Sequence, residues 1–297
     1  VTEGLTIARG LLGAAQVGDG PTAEQVRVVQ GLLDGYFGAD ADAASLEPLS
    51  PEDFAAVVDT ADAKRVVDLI VVVEYCRHGG DQGDQEAQSD RAEQYAAALG
   101  VDEPLLVVAR DALAANQDQV MADWSRYYEA PRTEPDAPVA DAALAERLRG
   151  LAACAPGTLG RAFFDFYDRW QLAFPGEVGG GDASLVSHDF SHVLAGYEPD
   201  PPSEIALQAM LVSATGFEHH FSGLVASLSL FETGTFDIIE ITPKTAVLDR
   251  PGAAVELADA FRRGQGCTSD FSAIDHLARV DEQLDDVRRD CGIPARG

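Results

Sequence analysis

Seven of the eight residues from Val66 to Val73 are apolar, the exception being Asp68. A helix that is apolar on every side has no face to offer water, so other elements must surround it. Residues 63–77 are therefore expected to form the central, most buried helix. Around it, apolar residues recur at three- and four-residue intervals, the helical period. Leu5, Ala8, Leu11, Leu12 and Ala15 mark a helix over residues 4–17. Thr22, with Gln25 three residues later, reads as a capping box opening a helix over 24–37. Ser50-Pro51 opens a third. A polar loop is expected over 79–88, then helices over 90–99 and 103–128.

The second half reads the same way. Helices are expected over 141–153, 158–173, 203–215, 217–231, 251–264 and 272–290, the last with Leu277, Val280, Leu284 and Val287 as its buried line. Phe163, Phe166, Tyr167 and Trp170 stand at helical spacing and are expected in the core. Residues 234–250 show short β-branched runs without a period. Residues 130–141 contain Pro131, Pro135 and Pro138 and no apolar repeat, which suits a linker. The fold class is thus all-α: two helical domains, 1–129 and 142–297, joined by a Pro-rich linker.

A net charge of −29 over 297 residues is spread along the whole chain. It argues against nucleic acid and anionic membrane surfaces as partners. Cys76, Cys154, Cys267 and Cys291 lie far apart with no Cys-x-x-Cys, so free thiols in a reducing cytosol are expected. The first residues show neither a basic region nor an apolar leader. The most apolar stretch, 205–230, is interrupted by Glu218, His219 and His220. The expected place is the cytoplasm, with at most a peripheral contact at the inner face of the membrane. A homodimer is compatible with the sequence.

The segment from Ser187 to Leu207 carries the chemistry. At about 100° per residue, His188, Asp189 and His192 share one arc of a helix, while Val186, Phe190, Val193 and Tyr197 gather opposite. Gly196 follows one turn later on the ligand-rich arc. Pro201 and Pro202 form a corner, Ser203 reads as the N-cap of the next helix, and Glu204 sits in its first turn. Two imidazoles with one or two carboxylates suit a divalent ion, zinc foremost, with iron or manganese as alternatives. The plain alternative is a surface helix with solvated histidines.

Two resemblances follow from these residues. His188-Asp189-x-x-His192, then eleven residues and Glu204, resembles the metal motif of the ubiquinone (coenzyme Q) biosynthesis protein 4 family. Gly157-Thr-Leu-Gly160, Val193-Leu-Ala-Gly196, Glu204-Ile-Ala-Leu207 and Val287-Arg-Arg-Asp-Cys-Gly-Ile293 resemble its flanks. The resemblance covers 157–297. It implies an all-helical fold with His188, Asp189, His192 and Glu204 as metal ligands. It also implies a role in making the quinone ring, through loss of the C1 carboxylate of a prenylated hydroxybenzoate-type ring with hydroxylation there, or through organising the enzymes that do this. The implied partners are an isoprenoid quinone precursor or prenyl lipid and other quinone-biosynthesis proteins. Residues 3–128, with paired helices and Gly/Asp-rich loops, resemble the tellurite-resistance TerB-like fold, which implies a weak cation site among Asp19, Glu24, Asp81, Asp84 and Glu86. The plain reading of those acids is turns and helix caps.

Two other functions fit the same motif. His-Asp-x-x-His mimics the metalloprotease helix with Asp189 as base, although aspartate is one methylene short for that role. The apolar helices of 205–231 could instead sheath a prenyl tail in a non-catalytic scaffold.

Overall fold

The computed structural model describes residues 2–77, 82–127, 141–181, 183–215, 220–237 and 241–296. These form an all-α fold of fourteen α-helices with short 3-10 and π turns and, among the described residues, no strand. The first half holds α1 (Gly4–Ala14), α2 (Ala23–Gly31), α3 (Pro51–Ala55), α4 (Ala63–Tyr75), α5 (Gln82–Leu99), α6 (Leu105–Leu113) and α7 (Gln117–Tyr127). The second holds α8 (Ala142–Gly150), α9 (Leu159–Trp170), α10 (Leu185–Ala195), α11 (Pro201–Thr215), α12 (Phe221–Phe231), α13 (Ala253–Gly266) and α14 (Leu284–Asp290). Among the described residues no helix is long and apolar enough to cross a membrane.

Helix α4 is buried from Val66 to Tyr75, Asp68 and Glu74 included. It meets the second half directly, where the Tyr75 hydroxyl lies 2.9 Å from Ser229 Oγ on α12. Helix α13 forms a second junction. It crosses α2 and the π turn Leu32–Phe37 at Gly31, where a Cβ would stand 2.6 Å from Ala254 O. Its far end lies on α11, where a Cβ on Gly264 would stand 2.2 Å from Met210 O. That separation is inside van der Waals contact, so the two backbones must part to admit even a methyl group. Gly264→Ala is expected to destabilise the fold by about 2–3 kcal/mol, read as a lowered denaturation midpoint. An unchanged midpoint would show that the helices are not in backbone contact.

Two caps expected from the sequence form, at Thr22 and Ser50, and two more appear at Thr158 and Asp141. Thr22 and Gln25 form the reciprocal capping box, Ser50 accepts the Asp53 N–H, and Thr158 accepts the Arg161 N–H. Asp141 caps α8 by accepting from Ala143 N and Leu144 N. The rest of the expected linker, 130–140, lies outside the described residues.

Four expectations are corrected. Helix α5 starts at Gln82, inside the expected polar loop, because its polar side chains have buried partners. Gln88 donates to Ala14 O (3.0 Å) and Ser89 to Glu74 Oε1 (2.8 Å). The expected helix 103–128 is two, broken where Ala115 adopts φ 54°. Helix α11 begins at Pro201, ahead of Ser203. Prolines lack the N–H that the first turn leaves idle, and Asp200 Oδ1 accepts the Ser203 N–H (3.0 Å). Lastly, 272–290 is helical only at His276–Ala278 and in α14. Its backbone is engaged elsewhere: Val280 O and Glu282 O accept from Gly160 N and Leu159 N, and Leu284 N donates to Gly157 O. Asp270 and Asp275 also cap their own local turns, the competition with helix that short polar side chains offer.

Candidate metal centre

Helix α10 ends at Gly196, whose φ of 75° lies in the left-handed region that favours glycine. The amides of Gly196 and Tyr197 both donate to His192 O, at 2.8 and 3.1 Å. The chain then turns through Tyr197–Asp200 into α11. Glu198 is pinned in this turn by Arg169 and Trp170 Nε1, each at 2.6 Å. Glu204 lies in the first turn of α11, where the helix dipole favours a carboxylate.

The two helices bring three donor atoms together. His188 Nε2 and His192 Nε2 are 3.1 Å apart, and each is 3.2 Å from Glu204 Oε2. His192 is 1% exposed, while the side chains of His188 and Glu204 keep 29% and 19% of their surface open. The cluster therefore has a closed back and an open front. Phe166 stacks on the His192 ring from α9. His192 Nδ1 is buried and has no hydrogen-bond partner among the described residues.

Burial alone would lower the His188 pKa, but the hydrogen bond and charge of Glu204 outweigh it and hold the imidazole above its ordinary value. Burial would likewise raise Glu204, yet the two histidines hold its carboxyl far below the usual range. The three groups are thus arranged around positive charge.

The donors fit a divalent ion. Metal bonds of about 2.0–2.2 Å at tetrahedral or octahedral angles separate neighbouring ligand atoms by about 3.0–3.5 Å, the spacing found here. Two imidazole nitrogens and a carboxylate oxygen this close require a proton or a cation among them, and the donor set matches zinc and iron chemistry.

Asp189 is placed differently. Its carboxylate lies beside the cluster but accepts a hydrogen bond from the Tyr167 hydroxyl. Among the described residues it is not one of the side chains whose donor atoms converge. Burial holds its carboxyl above the ordinary range, with Glu204 adding to the rise and His188, Tyr167 and His192 opposing it. Tyr167 itself is pushed up, by burial first and by Asp189 next. Of the four aromatics expected in the core, Phe163, Phe166 and Tyr167 are buried, Tyr167 stacking on Phe174, whereas Trp170 is exposed at the end of α9 with its Nε1 on Glu198. The position of Tyr167 one turn after Phe163 gave no sign that the hydroxyl would meet Asp189.

The acids of the first half do not gather into one site among the described residues. Asp19 is exposed, Asp81 lies outside the described residues, and Asp84 faces Arg77 at 3.6 Å. Glu86 is exposed. Glu24 is buried and groups with Cys76 and Glu232 instead. Burial raises the Glu232 carboxyl, while its hydrogen bond with Glu24 and the Leu248 amide oppose the rise. Burial also raises the Cys76 thiol, which donates to Val72 O.

No family model matches the chain, and no curated protein matches it. Among solved structures it is similar to a Nostoc punctiforme protein provisionally assigned to ubiquinone biosynthesis, at 17% identity over 78% of this chain and 99% of that one, with a TM-score of 0.36. At that score the two chain paths differ too much for the likeness to say what this chain does. Fold and site together define an all-helical protein with a two-histidine, one-carboxylate cluster.

Proposed function

We propose that this chain holds a divalent metal, zinc in the first place, at His188, His192 and Glu204, and that it serves isoprenoid-quinone biosynthesis at that site. The observation carrying the reading is the triangle of three donor atoms, 3.1–3.2 Å on each edge, contributed by two helices. A bound ion there supplies Lewis acidity toward a carboxylate or phenolate oxygen. His188 and Glu204 face the open side, where a ring carboxylate would approach. His192 and Phe166 close the back against water. Asp189, tied to Tyr167, places a second carboxylate beside the cluster without occupying it. The substrate class comes from the resemblance of His188-Asp189-x-x-His192…Glu204 to the quinone-biosynthesis motif: a prenylated hydroxybenzoate-type ring, engaged at its C1 carboxylate.

The test is metal analysis followed by ligand binding. Chain stripped with a chelator and dialysed against zinc should retain about one ion. The zinc-loaded form should then bind a short-chain prenyl hydroxybenzoate more tightly than the ester that masks its carboxylate. A stripped chain that takes up no ion would end the metal reading. Equal affinity for acid and ester would end the carboxylate reading and leave the metal.

A further inference from the structure

We propose that Arg263 and Arg288 are positioning residues of the metal centre, fixing α10 against α11 at the setting where its donors meet. The inference rests on the metal reading above. The donors come from different helices, so the centre exists only while α10 keeps its rotation relative to α11. A slip of one residue turns α10 by about 100° and carries both imidazoles off Glu204.

The bracing comes from outside the pair. Helix α13 lies in backbone contact with α11 at Gly264, and the residue before that glycine is Arg263. Its Nη2 donates to Ala195 O at the end of α10 (2.7 Å) and to Pro294 O (3.1 Å), and its Nε also reaches Pro294 O (3.3 Å). One side chain thus ties the helix seated on α11 to the end of α10. Arg288, from α14, donates through Nε to Leu194 O (3.0 Å) and through Nη2 to Val193 O (3.1 Å). Arg296 Nη1 donates to Gly196 O (2.7 Å). Four successive carbonyls, 193–196, therefore each accept from an arginine. A helix end leaves such carbonyls without intrahelical partners, and three cations satisfy them here.

The energetics of Arg263 favour position over stability. It is 1% exposed, and among the described residues no carboxylate forms an ion pair with it. Its compensation is the carbonyls and the Tyr197 side chain, whose ring lies 5.2 Å from the guanidinium carbon, and among the described residues Nη1 makes no well-formed hydrogen bond. Burying a guanidinium on these terms is costly, and an apolar side chain of similar volume commonly serves stability as well or better. The guanidinium presents its donors in a rigid planar fork, whereas lysine offers one flexible point charge and methionine no donor.

The experiment compares wild type, Arg263→Met, Arg263→Lys and Arg288→Met, all as the full chain. Each is titrated with zinc against a competing chelator and loaded with cobalt(II), whose visible absorption reports the ligand field. Zinc affinity is expected to fall about 10–100-fold in Arg263→Met, the range seen when groups orienting metal ligands are lost, with an altered cobalt spectrum at unchanged helical content. Arg263→Lys should fall between, since an ammonium can keep the bond to Ala195 O. Arg288→Met should show a smaller loss. A folded Arg263→Met with wild-type affinity and spectrum overturns the proposal. If that variant does not fold, Arg288→Met decides, and wild-type behaviour there overturns it. Wild type that takes up no metal overturns the metal reading and this inference together. A metal-loaded wild type with unaffected variants overturns this inference alone.

Discussion

Bound zinc is expected to fall from about one ion per chain to none detectable when His192 is replaced by alanine. Of the three donors it is the most enclosed, with Phe166 stacked on one face and 1% of its surface open. No other side chain can swing in behind it, because the space belongs to the packed ring of Phe166. His188→Ala should be less complete, since the open front lets water or Asp189 take the vacated position. The variant also leaves a cavity, which destabilises the fold whether or not a metal binds. Glu204→Gln separates the two effects: it keeps volume and packing, removes the anionic ligand, and should weaken zinc binding by at least about 100-fold, roughly 2.7 kcal/mol. Elemental analysis and competition titration read all three variants. A metal content that stays near one ion in His192→Ala would place the ion elsewhere, and the triangle of donors would then be only a hydrogen-bonded cluster.

The ease of locating the motif and the difficulty of completing it have the same cause. His188 and His192 are one turn apart, and helical geometry alone puts them on one arc. Glu204 follows from a proline-stiffened corner, again a local signal. The helix caps at Thr22 and Ser50 were legible for the same reason: a cap is read over three or four residues. What escaped depends on contacts between distant segments. Gln88 and Ser89 look like loop residues until Ala14 and Glu74 supply buried partners. Residues 272–290 carry a helical apolar line, yet their amides and carbonyls are spent on residues 157–160. Arg263 stands in an amphipathic helix where an exposed arginine would be ordinary. Only the close approach of α13 to α11 turns it inward. Asp189 was grouped with the histidines by helical angle and by the quinone-biosynthesis resemblance, whereas Tyr167, twenty-two positions earlier, holds its carboxylate.

A second large effect is expected in the pH dependence of stability. Glu74 is completely buried in the central helix. Burial pushes its carboxyl up to about 8, against the Ser89 hydrogen bond and the charge of Arg110. In the unfolded chain the same group titrates near 4.5. Between those values the folded protein holds a proton that the unfolded chain has released. Stability from this group is therefore fully present below about pH 4.5 and is lost progressively until about pH 8. Glu74→Gln removes the titration while keeping an oxygen to accept from Ser89. The two proteins should melt at similar temperatures near pH 4.5, and the variant should gain steadily as pH rises, levelling off above about 8. Each pH unit of that window is worth about 1.4 kcal/mol, so a gain of at least a few degrees, about 2–4 °C per kcal/mol, is expected at pH 9. Part of the slope should survive in the variant. Asp68, also buried, is pushed up to about 7 by burial despite its bond to Lys64. The remaining decline should therefore end near pH 7 rather than 8. Melting curves that run parallel for the two proteins from pH 5 to 9 would mean that Glu74 is ionised in the folded state and that its burial is relieved by a cation or by water.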